Sequence, residues 1–170
     1  VDARSTQGVI ARAILAVASI SNGVIGVWAT FSPRGWYDDF PGFGKVWVAV
    51  DGPFNEHLVR DIGSWSLALT VLTLAAAWTL DRRLVLVAGL ALVAQNLPHA
   101  QYHLDAPNPF DSRSEQLQSV SGIVLLVALG ALLVGMAWRG RGRGATASGS
   151  RGSRGSSPAS LAPPAPEQGG

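Results

Sequence analysis

Cysteine is absent from the chain, which excludes disulfide frameworks, thiol redox chemistry and cysteine-ligated metal or iron–sulfur centres together. Charge is scarce as well. Asp, Glu, Lys and Arg make up 14% of the residues against 48% hydrophobic ones, a balance foreign to soluble globular domains. Nor is there a phosphate loop, a nucleotide motif or a nucleophile–base triad, which speaks against an ATP-driven pump and a hydrolase. The sequence pI of 9.7 would suit a nucleic-acid binder, but the basic residues form no patch interleaved with aromatics. No nucleic-acid partner is expected.

What the chain has in quantity is long apolar runs. Four of them, near residues 8–30, 57–80, 84–103 and 117–138, reach the roughly 20 residues that a helix needs to cross a bilayer. The expected fold is all-α, a four-transmembrane-helix bundle over residues 1–138 with the lipid bilayer as its surroundings. Ser19, Gly23, Ser64 and Gly122 are small residues of the kind that let membrane helices approach. Asn22 and Gly26 share a side of the first helix with Ser19, and Pro98 is expected to bend the third helix and free a backbone carbonyl.

Charge sets the topology. Arg4 and Arg12 flank the start of the first run, Arg82 and Arg83 join the second to the third, and Arg139, Arg141, Arg143, Arg151 and Arg154 follow the fourth. The two other loops hold Arg34, Lys45 and Arg113 beside six aspartates and glutamates, among them Asp51, Asp105, Asp111 and Glu115. By the positive-inside rule both termini and the Asp81–Arg83 turn face the cytoplasm, in a plasma-membrane protein. The apolar run from Ala13 to Phe31 is longer than a signal-peptide core and has no persuasive cleavage site after it, so it is read as a retained helix. Trp28, Trp36, Trp47 and Trp65 lie toward the outer side and Trp78 and Trp138 toward the inner, as interfacial indoles do.

The first outer loop, FSPRGWYDDFPGFGKVWVAVDGPFNEH, is too aromatic for a disordered linker and long enough to be a lid. It reads as an ordered aromatic cap over the helix ends, or else as a loop with its aromatics in the headgroups. Asp51 stands as a candidate N-cap for the second long helix, with Pro53 in its first turn. From 139 to 170 the composition turns to Arg, Gly, Ser and Pro with almost nothing to bury, which predicts a disordered cytoplasmic tail.

The chain has three histidines, and all fall at the outer ends of the second and third runs. His99 and His103 form an H-x-x-x-H pair, and His57 stands at the same spacing from Asp61. Residues four apart share a helix face, so each pair can aim two ligand-type groups into one space. Asp61 and His103 lie equally far in sequence from Arg82, so straight antiparallel helices put them level. His57 and His99 then differ in depth by about 12 Å at ~1.5 Å per residue, too far to share one ion. A three-ligand site or two stacked sites would serve instead.

Four uses fit such groups. Imidazole with carboxylate suits a divalent transition metal such as Zn, Cu or Fe, with His57, Asp61, His99 and His103 as ligands. Glu56, Asp111 or Glu115 would be auxiliary. His57 with His99 or His103 would suit haem. Asp61 and the histidines could relay protons. The plainest use is structural: His57 bonds Asp61, Glu56 bonds Arg60, and His103 favours a helix C-terminus.

The runs WYDDFPGFGKVWVAVDGPFNEHLVRDIG and LPHAQYHL resemble a group of small four-helix actinobacterial integral membrane proteins that carry D-G-P-x-N-E-H-L-x-R-D and P-H-x-x-Y-H elements. The resemblance covers about residues 30 to 105 and implies a membrane fold, not an activity. The expected function is a multi-pass membrane protein with a His/Asp metal site at its outer face. The competing expectations are an accessory subunit of a larger membrane complex and an oligomeric transporter, and a homo-oligomer or complex partner is compatible with either.

Overall fold

A computed structural model describes residues 3–110 and 112–149, with the side chains of the last helix described as far as Arg139. Five α-helices and a two-stranded ladder follow in the order α1 (Thr6–Phe31), α2 (Pro33–Asp39), β1 (Pro41–Gly42), β2 (Lys45–Val46), α3 (Glu56–Thr79), α4 (Arg82–Asp105) and α5 (Arg113–Gly149). Helices α1, α3, α4 and α5 are each long and apolar enough to cross a membrane. The chain is therefore all-helical in its main elements and a multi-pass membrane protein. Most of the tail expected from residue 139 lies outside the described residues.

Local chemistry sets the helix boundaries. Ser5 caps α1 by accepting the Gly8 amide at 3.1 Å, and Asp81 caps α4 by accepting the amides of Arg83 and Leu84 at 2.9 and 3.1 Å. Each bond satisfies a donor that a helix start leaves without a partner. The cap of α3 is Asn55, whose side chain accepts the Leu58 amide at 3.2 Å, and not Asp51. Pro53 precedes the helix. Helix α3 stops at Leu80, whose φ of 49° is left-handed. A leucine there costs about 1–2 kcal/mol, and burial of its side chain to 2% exposure offsets that by a similar amount.

The four long helices share one apolar core near the arginine-rich end. Ala11, Ile14, Leu15 and Ala18 of α1 meet Ala76 of α3 and its C-cap Leu80, Val85, Ala88 and Leu92 of α4, and Leu133 and Ala137 of α5. Small residues set the distances. A Cβ on Gly63 would lie 2.7 Å from the Thr30 amide nitrogen, and one on Gly26 2.9 Å from that of Leu67. Between α4 and α5 the contact is reciprocal: a Cβ on Gly89 would approach the Gly130 carbonyl to 2.8 Å, and one on Gly130 the Gly89 carbonyl to 2.9 Å. Ser19 and Asn22 are buried as expected, Ser19 donating to Thr73 Oγ1 at 2.8 Å. Ser64 instead bonds its own helix, and a Cβ on Gly122 would meet no atom of another helix within 4 Å.

The arginines at this end also fasten helices. Arg12 Nε donates to the Ala77 carbonyl at 3.1 Å and Arg82 Nη1 to that of Ala137 at 3.3 Å. Arg12 thereby places positive charge at the last turn of α3, where the helix carries partial negative charge.

At the opposite end the first loop folds over the helices. The residue before proline avoids the α conformation, so α1 breaks at Ser32, and Pro33 opens α2 at a position that needs no amide hydrogen. Phe43 and Gly44 both have positive φ, the signature of a type I′ turn, and they join β1 to β2 in the register Pro41↔Val46 and Gly42↔Lys45. Ala29, Trp36 and Val59 form a second core with Trp28, Tyr37, Phe40, Val48 and Phe54 around them. Lys45 Nζ bonds Gln118 of α5.

Candidate functional site

The last two turns of α4 carry His99 and His103. The core-facing stripe of this helix runs through Val85, Ala88, Leu92, Asn96 and Ala100, and the two histidines continue its edge beyond Asn96. Pro98 sits between, inside the helix and with no hydrogen to offer the Ala94 carbonyl. The His99 and His103 Nε2 atoms are 3.0 Å apart, with ring centroids 4.9 Å apart. Tyr102 meets the His103 ring edge-on at 5.3 Å.

The other nitrogen of His103, Nδ1, faces the Asp51 carboxylate at 3.9 Å. This is ion-pair distance, longer than a hydrogen bond. The His103 side chain keeps 15% of its exposure and that of Asp51 30%. Asp51 is held by its surroundings in the loop: its amide donates to the Val48 carbonyl at 3.1 Å, and Tyr37 Oη donates to the adjacent Gly52 carbonyl. With Asn55 taking the capping role, Asp51 is left to look at α4.

His57 and Asp61 also lie together, Nε2 to Oδ2 at 3.5 Å, but their side chains are 84% and 51% exposed. Both stand two residues from buried Val59, about 200° around a helix at ~100° per residue, so they point away from the core. No hydrogen bond or ion pair among the described residues joins this pair to His99 or His103, and no three or more His, Asp and Glu side chains are grouped to hold a metal ion. Glu56 is paired with Arg60 at 2.9 Å, and Arg60 Nη1 donates to the Thr30 carbonyl of α1 at 2.5 Å. This polar turn ties α3 to α1. Glu115 stands in the first turn of α5, and Asp111 lies outside the described residues.

The pairs are thus two separate places, and Asp51 is the residue that sequence reasoning put to another use. A helical wheel would have separated the pairs. The signal for Asp51 was subtler: Asn55, one position before the first helical residue, is the better-placed cap.

Chemically, two neutral imidazoles with facing Nε2 atoms share a single proton. Put a metal in its place, with Zn–N bonds of about 2.0–2.1 Å in tetrahedral geometry, and the nitrogens stand about 3.3 Å apart, a few tenths of an ångström from the observed spacing. A carboxylate on the far nitrogen of a ligating histidine is the usual means of fixing its tautomer. Comparison with known proteins found no matching family model, no matching curated protein and no matching solved structure.

Proposed function

We propose that this multi-pass membrane protein binds a divalent transition metal at its outer face, with His99 and His103 as the protein ligands and Asp51 holding His103 in the ligating tautomer. The observation that carries this is the convergence of the two Nε2 atoms to 3.0 Å while the remaining nitrogen of His103 faces a carboxylate. The arginines at the other end support an outward orientation by the positive-inside rule, and on this reading the site meets external metal. Two protein ligands leave coordination positions open for water or substrate, the arrangement of a reactive or transferring site rather than a closed structural one. His57 and Asp61 have no place in the coordination sphere on this account. They belong to the polar turn that Arg60 ties to α1.

Imidazole ligands follow the general order of divalent affinities, so Cu(II) should bind more tightly than Zn(II). The test is elemental analysis of the full chain, purified in detergent and equilibrated with each metal. One ion per chain is expected, lost in His103→Ala and kept in His57→Ala. Metal-free protein under both conditions, or equal loss in the two variants, would sink the proposal.

A further inference from the structure

On the far side of α4 from the histidines lies a groove of about 330 Å³ between α4 and α5. Leu97, Ala100 and Leu104 form one wall and Val124 and Val127 the other, with Gln101 and Asp105 along the rim. Among the described residues neither Gln101 nor Asp105 has a hydrogen-bond or ion-pair partner, and both are exposed. From Leu97 to Asp105 the groove runs about 12 Å along the helix at ~1.5 Å per residue, most of the roughly 15 Å of hydrocarbon in one leaflet of a ~30 Å core.

We propose that this groove is a specific site for a phospholipid with a primary-amine headgroup, its acyl chain lying along the apolar walls and its ammonium on Asp105. The inference needs only the membrane-spanning helices and not the metal site.

Three features select this occupant. Leu97, Leu104 and Val124 are exposed on the apolar face of the bundle, with buried Ala100 beneath them, and the groove is apolar for most of one leaflet's depth. An α-helix, about 10 Å across with its side chains, is too wide to enter so small a groove. Asp105 is the last residue of α4, where the helix itself presents partial negative charge, so the rim attracts a cation and repels a phosphatidylglycerol or free-acid headgroup. A primary ammonium also supplies three N–H donors for the carboxylate, which a choline headgroup lacks. Gln101, one turn deeper, can donate its amide to a phosphate or ester oxygen of the same molecule.

The experiment uses the full chain in phosphatidylcholine nanodiscs doped with equal amounts of phosphatidylethanolamine and phosphatidylglycerol. Retained lipid is counted by native mass spectrometry. One phosphatidylethanolamine per chain is expected, preferred roughly tenfold, the equivalent of one charge-assisted hydrogen bond at an interface. Asp105→Asn should bring the two lipids to near parity. Leu104→Trp should fill the groove and abolish retention while leaving the circular dichroism spectrum unchanged. Retention of both lipids equally by the unaltered chain, an unchanged preference in Asp105→Asn, or a chain dimer that Leu104→Trp dissociates would each overturn the proposal.

Discussion

The contact between α1 and α3 can be tested with a single methyl group. A Cβ at Gly63 would lie 2.3 Å from Thr30 Oγ1, 2.7 Å from the Thr30 amide nitrogen and 3.1 Å from the Ala29 carbonyl carbon. The hydroxyl can rotate, but the backbone atoms cannot yield without parting the helices. Overpacking of this kind costs about 1–3 kcal/mol, and the better helix propensity of alanine returns about 1 kcal/mol. Gly122→Ala isolates the second quantity, because a Cβ there would meet no atom within 4 Å beyond its own turn of helix. The gap between the two variants is then the steric cost alone, about 1–3 kcal/mol. Six tryptophans make intrinsic fluorescence a convenient readout of unfolding in mixed micelles of mild detergent and SDS. Gly63→Ala should be less stable than Gly122→Ala by that margin. Equal stabilities would mean that α1 and α3 do not touch at Gly63 and Thr30.

Two further outcomes follow from the polar contacts. Asp51→Asn should weaken binding of Cu(II) or Zn(II) by about 10- to 100-fold, the usual effect of removing a carboxylate behind a ligating histidine, and titration calorimetry giving an unaltered affinity would remove Asp51 from the site. At the other end of the helices, the amides of Leu84 and Arg83 bond the Asp81 carboxylate and hold its pKa below the ordinary value, against a smaller opposing effect of desolvation. A carboxylate with a depressed folded-state pKa contributes stability above its unfolded pKa, about 3.9, and loses it as pH falls through the lower folded value. Stability measured from pH 6 down to pH 3 should therefore fall less steeply in Asp81→Asn, which keeps the cap but cannot titrate. Parallel profiles would show that the cap is not ionised.

The four long helices were legible because nothing but a span explains apolar runs of that length; the caps set the starts of α1 and α4 within two residues of the expected ones, whereas α5 runs on to Gly149, eleven residues past the end of its apolar run. Ser5 starts α1 before Gly8, and Asp81 starts α4 at Arg82. The short helix α2 was not read from FSPRGWYDD, since proline and glycine there look like turn residues. In fact Pro33 stands at the one helical position that suits it. The site was half legible. Spacing of four brought His99 to His103 and His57 to Asp61, as i,i+4 geometry demands. Counting from Arg82 gave the depth of each pair but not its direction around the helix, and direction decides which pair faces inward. The approach of Asp51 to His103 depends on how a long loop folds across other helices, which no local pattern encodes.

The bond between Lys45 and Gln118 joins positions 73 residues apart, and Asp51 likewise waits for His103 on α4. During synthesis the first loop emerges long before either partner exists. Helices α1 and α3 can pair early through Gly63 and Thr30, but the loop can take its final place only after α4 and α5 have inserted. Its contacts with α4 and α5 are thus among the last that the chain can form. A chain that fails to insert α5 would lack Gln118, and the β1–β2 hairpin would lose the bond that Lys45 makes to that helix.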